Sequence, residues 1–182
     1  LLSHFDGNRA SSITAAQQSL QVAEAGEEPL DRVRAHIALA FAWRNQKVWD
    51  VALDHARAAE ALARQIADAG QLAWVLCELG QNPRIPNAET RAAEALALFR
   101  DLGSEWGEVY ALDILAGWAA RRGDVLRAAQ CYQECLALRQ TIGDRLGTID
   151  ILVGAAALTV TRGRLETAIQ LLAAAAAQLV RA

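Results

Sequence analysis

Leu102–Tyr132 reads LGSEWGEVYALDILAGWAARRGDVLRAAQCY, and Ile142–Leu172 reads IGDRLGTIDILVGAAALTVTRGRLETAIQLL. Gly103 aligns with Gly143, Gly107 with Gly147, Gly123 with Gly163 and Ala128 with Ala168, all 40 positions apart. Unrelated amphipathic helices share a 3.6-residue period but not the placement of glycines, so this is an internal repeat. Each copy reads as helix, tight turn, helix. In the first copy, Val109, Leu112, Leu115, Ala116 and Ala119 recur at spacings of three and four, which predicts a helix from about Glu105 to Arg121. Gly123 is a C-terminal cap candidate and Asp124 an N-cap for a second helix reaching about Thr141, with Ala128, Cys131, Cys135 and Leu138 on its apolar face. Ala128 and Ala168 are small because two helices joined by a short turn approach closely.

Working outward, the pattern loosens. Ala52 matches Ala88 at an offset of 36, and residues 31–68 supply a helix pair about a turn near Gln46–Asp50. A third unit opens at Gln71 and meets Pro83 and Pro86, which end its first helix near Gly80; the second restarts near Asn87. Gly7-Asn8 with Ser12, Ala16 and Leu20 reads as the turn and second helix of a partial unit. The expected fold is all-α, an α–α superhelix or solenoid over residues 1–182, with units at about 1–25 (partial), 30–68, 70–102, 104–142 and 144–182.

Composition agrees. The 182 residues are 53% hydrophobic but only 5% aromatic, rich in Ala and Leu, with three prolines, which favours helices over sheets. A net charge of −3 without a basic stripe gives nucleic acid no electrostatic footprint. Three cysteines, Cys77, Cys131 and Cys135, fit a reduced, cytoplasmic protein. The apolar stretch Leu171–Val180 is too short to span a bilayer, so no membrane association is expected. With no Met and an apolar start at Leu1-Leu2, the chain reads as a fragment of a longer protein.

Gly123 with Ala128, then Tyr132 and Cys135, resembles the second half of the tetratricopeptide pattern, and Leu39, Ala40 and Trp43 resemble its first-helix positions. The spacing of 40, with ALALFRDLGSEWG and CLALRQTIGDRLG between units, resembles the long-helix subtype. That subtype occurs in bacterial signalling ATPases and transcription regulators of the STAND and LuxR kind and in eukaryotic spindle-orienting scaffolds. GRLETAIQLLAAAAAQLVRA resembles the final helix pair of the bacterial regulators. The resemblance implies a scaffold that binds a peptide, a protein or other domains of its parent chain on the concave face lined by first helices. The Lys and Asn clamp of chaperone-binding relatives is unmatched, since those positions hold Ile37, Phe41, Asp113 and Gly117.

Placing the family pattern on the first helices assigns Arg34, Arg44, Asn45, Tyr110, Asp113, Arg121 and Asp150 to the concave side, with Trp74, Trp106 and Trp118 on or beside it. Packing between helices is the competing reading of the tryptophans, Trp43 and Trp49 above all. The mixed signs argue against a strongly charged ligand. Leu171, Leu172, Leu179 and Val180 with Ala173–Ala177 make a helix apolar nearly all round, a candidate homodimer surface and the basis of an alternative spacer role. A small-molecule effector pocket near Trp74 and Trp118 is a further alternative. No Walker-type phosphate loop appears, and no cofactor is expected. Cys131 and Cys135 share a helix face but lack further ligands, because His4, His36 and His55 read as lying in distant units; no metal site is expected. Ser11, Ser12 and Thr14 read as capping or solvated residues near a helix start, and nothing points to an enzyme.

Overall fold

The computed structural model describes residues 2–160 together with Gly163, Thr167 and Gln170, and side chains from Ser11 onward except those of Arg145 and Leu158. The chain divides into two compact units, Leu1–Leu102 and Gly103–Ala182. The first holds α1 (Leu2–Ala25), α2 (Pro29–Asn45), α3 (Trp49–Gln65), α4 (Ala69–Gln81) and α5 (Ala88–Asp101). The second holds α6 (Glu105–Arg121), α7 (Val125–Thr141) and α8 (Arg145–Val160). Within each unit successive helices pack on one another, and α2 also touches α4.

One local device generates the repeat. A helix is followed by a residue in the left-handed region and then by an N-cap. In the α6–α7 turn, Gly123 has φ +74°. Its N–H donates to Ala120 O at 3.0 Å, and the Asp124 N–H donates to Ala119 O at 2.9 Å. This pair of bonds is a Schellman motif, which satisfies carbonyls that a helix end leaves open. The Asp124 carboxylate then accepts from Arg127 N at 3.1 Å and starts α7. The same hydrogen-bonded turn recurs at Lys47 (φ 62°), Ala67 (φ 54°) and Gly143 (φ 72°). Gly103, Gly123, Gly143 and Gly163, each with positive φ, follow one another at half the repeat offset, and Ala67 follows Lys47 at the same interval. The sequence signature of 40 is therefore two half-repeats of 17 helical and three turn residues.

The core lies between paired helices. Val109, Leu112, Leu115, Ala116 and Ala119 of α6 are buried, as expected, and so are Ala128, Cys131 and Cys135 of α7. In the first unit Val33, Leu39 and Ala40 of α2 are buried, and so are Ala52, Ala56, Ala59 and Ala63, the small stripe that lets α3 pack closely on α2. The α4–α5 pair departs from the rule. Its helices have 13 and 14 residues with six between them, 33 in total, against 17, 17 and three, 37 in total, for α6–α7. The missing four residues turn the offset of 40 into 36. Pro83 and Pro86 cannot continue a helix, and the chain crosses over residues 82–87 without a left-handed residue.

One reading needs correction. Gly7-Asn8 is not a turn, because α1 runs through it without interruption. A single helical Gly costs only about 1 kcal/mol, too little to stop a helix without a cap or proline beyond it. Ser11, Ser12 and Thr14 consequently lie inside α1 on its exposed side, not at a helix start. The C-terminal positions Leu171, Leu172, Leu179 and Val180 lie outside the described residues.

Candidate interaction surface

Two of the first helices, α2 and α8, turn a full stripe outward. On α2 it is Asp31, Arg34, Ala38, Phe41 and Asn45; on α8 it is Leu146, Asp150, Val153, Ala157 and Val160. Arg34, Trp74, Tyr110 and Asp150 occupy a single repeat position, related by offsets of 40, 36 and 40. The same backbone site thus carries a cation, two aromatics and an anion.

In the first unit these positions differ in availability. Arg34 is open to solvent and paired loosely with Asp31 at 3.9 Å. Asn45 is exposed at the end of α2. Arg44 is largely buried, its Nε donating to Glu78 Oε2 at 2.9 Å across α2 and α4, with its guanidinium 4.9 Å from the Phe41 ring centre. Trp74 stands edge-on to the buried Phe99, with ring centres 5.0 Å apart, so it is engaged in packing α4 on α5. Glu78 and Asn82, neither singled out in the sequence, are buried polar groups with partners. Asn82 Nδ2 donates to Trp49 O at 3.3 Å and its Oδ1 accepts from Arg84 N at 3.0 Å. Arg84 in turn grips both carboxylate oxygens of Asp50 at 2.7 Å.

Cys131 and Cys135 belong to the second unit, whereas His36 and His55 belong to the first. The two histidines face one another across α2 and α3 with Nδ1 atoms 3.0 Å apart. The two helices run antiparallel about the turn at 46–48, and their packing brings positions 36 and 55 side by side. Burial lowers the pKa of both; His55 lowers that of His36 further, while Glu24 opposes at His36 and Asp54 at His55. Among the described residues, no three His, Cys, Asp or Glu side chains group to hold a metal ion.

The second unit brings several predicted residues together. Asp113 of α6 is exposed, yet crowding by surrounding protein raises its pKa; Arg139 opposes that shift and the Asp150 carboxylate of α8 adds to it. Tyr132 of α7 reaches the same place. Burial raises its pKa, followed by Asp113, Cys135 and Cys131, and a methyl group on Gly154 would come within 3.1 Å of its hydroxyl. Tyr110 is half-buried, Arg121 is exposed and its guanidinium lies 5.0 Å from the half-buried Trp118 ring. Trp106 is 57% exposed at the start of α6. Arg139 is largely buried in an ion pair with Asp144, and the guanidinium occupies the space a side chain at Gly147 would need. That explains the glycine that repeats as Gly107 and Gly147 at one of its two positions. Cys135 donates its thiol to Val109 O at 3.5 Å.

No family model matches the sequence, and no curated protein matches it. Solved structures do. BtubC (BKLC) from P. vanneervenii superposes with a TM-score of 0.77 at 18% identity, over 99% of this chain and 76% of that one. A Rap protein complexed with competence and sporulation factor gives a TM-score of 0.66 at 18% identity, over 95% of this chain; the chain spans 60% of that protein. The all-α helical-repeat fold expected from the spacing of 40 is borne out. None of the described helices is long and apolar enough to cross a membrane.

Proposed function

We propose that the chain is a non-catalytic protein-interaction module that holds a peptide or partner segment against its first helices. The carrying observation is the pair Asp113 and Asp150, carboxylates on successive first helices with Asp150 close enough to act on Asp113, with Tyr132 beside Asp113 and the apolar Val153 exposed along α8. Such a site suits one cationic side chain within a mixed segment, because the carboxylates supply charge while the aromatic and apolar surfaces desolvate its stem. The Rap structure with its bound factor supports a holding role for this fold. The tetratricopeptide resemblance supports placing the module, as a cytoplasmic part, in a larger bacterial signalling or transcription regulator. Panning a displayed library of random peptides against the protein tests the assignment. Enriched peptides should carry a Lys or Arg whose replacement by Ala, like Asp113→Asn or Asp150→Asn in the protein, weakens binding at least tenfold. Peptides indifferent to both carboxylates would refute it.

A further inference from the structure

The packing of α2 on α3 brings two imidazole rings head to head. His36 Nδ1 and His55 Nδ1 stand 3.0 Å apart, with ring centres 5.3 Å apart and ring planes inclined by 38°. Both rings are half-buried, so solvent reaches the pair. The offsets of 40 and 36 that carry Arg34 to Trp74 and Tyr110 carry His36 to Leu76 and Leu112. Both leucines are fully buried. This place on a first helix is one that packing fills with leucine, so the fold does not ask for an imidazole at His36. The histidine that meets it lies on a second helix, where the corresponding positions hold Arg91 and Cys131. The charges that act on the two rings from outside the pair are negative: the Glu24 carboxylate of α1 on His36, and that of Asp54 on His55.

We propose that His36 and His55 bind one divalent transition-metal ion, Cu(II) by preference, which joins α2 to α3 through the two Nδ1 atoms. An imidazole nitrogen bonds such an ion at about 2.0–2.1 Å. Two nitrogens at a right angle on the ion are then about 2.9 Å apart, and two at a tetrahedral angle about 3.4 Å. The observed 3.0 Å falls at the right-angle end. Right angles belong to the tetragonal geometry of Cu(II) and Ni(II), and Cu(II) leads the affinity order. In the metal-free chain one ring donates a hydrogen to the other, and the ion replaces that hydrogen bond. The donating ring passes its proton from Nδ1 to Nε2 by way of water, so no proton is lost overall. Each ring then turns until both Nδ1 lone pairs meet on the ion. Among the described residues no three His, Cys, Asp or Glu side chains group to hold a metal. Water therefore fills the remaining positions, and two donors hold the ion less tightly than a closed four-ligand site does. Glu24 and Asp54 offset part of its charge. This site lies in the first unit and does not rest on the Asp113 reading.

The probe is Cu(II), titrated calorimetrically into the metal-free chain at pH 7.5. One equivalent should bind with a micromolar or lower dissociation constant, and pulsed electron paramagnetic resonance should show two imidazole nitrogens on the ion. The urea midpoint should rise with the ion present, because binding favours the folded chain. His36→Gln and His55→Gln should each weaken binding at least tenfold and abolish that rise, while His4→Gln changes neither. Glutamine keeps a hydrogen-bonding side chain at each half-buried place, and an unchanged circular dichroism spectrum verifies the fold. Mg(II), which takes oxygen ligands, should not compete. Absence of saturable binding to the parent chain overturns the proposal, as does a spectrum with one imidazole nitrogen or none. So does undiminished affinity in either glutamine variant of the pair. Loss of binding in His4→Gln overturns it too, giving the ion to the chain's first residues.

Discussion

The α4–α5 pair is shorter than the α6–α7 pair in both helices, and the two reach stability differently. α6–α7 relies on a Schellman turn at Gly123, an Asp124 cap and ordinary packing. α4–α5 lacks that turn, so its helices come closer and its ends are tied by side chains. At Gly80 an added methyl group would come within 2.9 Å of Ala92 Cβ and 3.1 Å of Ala92 N, whereas at Gly117 of α6 it would meet nothing within 4 Å. The register position that is Ile114 in α6 is Glu78 in α4, paired with Arg44. A repeat therefore survives the loss of about one helical turn when closer approach and buried polar contacts replace the lost backbone turn.

The largest effect expected from breaking this arrangement is at Glu78. Glu78→Ala leaves the largely buried Arg44 guanidinium without its main partner, and removing one member of a buried ion pair costs about 3 kcal/mol. Urea unfolding should report that loss, and a value below about 0.5 kcal/mol, the scale of an exposed pair, would mean the bridge is incidental. Next is Gly80→Ala, which should destabilise by about 2 kcal/mol because backbone as well as the Ala92 methyl must give way. Gly117→Ala sets the contrast. With open space around it, the higher helix propensity of alanine should raise stability by up to about 1 kcal/mol. Equal effects at the two glycines would erase the distinction between the tight and the regular pair.

Periodicity and glycine spacing made the α6–α7 pair legible almost to the residue, because each cap is a local chemical signal: Gly for positive φ, Asp for the first free N–H groups. Lys47 and Ala67 use the same left-handed turn without glycine, and the first-unit repeat looked looser than it is for that reason. Gly7 failed in the opposite sense, since a glycine permits a turn without requiring one. Among site residues, Arg34, Asp113, Arg121 and Asp150 are surface positions that the first-helix stripe placed openly. Arg44 and Trp74 belong to the same expected concave side but are drawn into packing by Glu78 and Phe99, distant partners in sequence that no local pattern announces. No equal spacing from the turn at 46–48 announces the contact of His36 with His55; it follows only from how α2 packs on α3.

The smallest expected effect sets α2–α3 apart from both other pairs, because only there do two histidines face each other among the described residues. Their Nδ1 atoms at 3.0 Å can share one proton, one ring donating and the other accepting, but not two. Around the pair are Glu24 of α1 and Asp54 of α3, which favour protonation, while burial and mutual repulsion disfavour it more. Both folded-state pKa values thus lie below the unfolded value, so the unfolded chain binds more protons as pH falls through and below about 6.5. The pair's stabilisation is present above that pH and is lost on acidification. Urea midpoints measured from pH 7.5 to 5 should fall, and His55→Gln, which retains a hydrogen-bonding side chain but does not titrate, should flatten the decline. An undiminished slope in His55→Gln would move the acid sensitivity elsewhere and leave α2–α3 energetically like its neighbours.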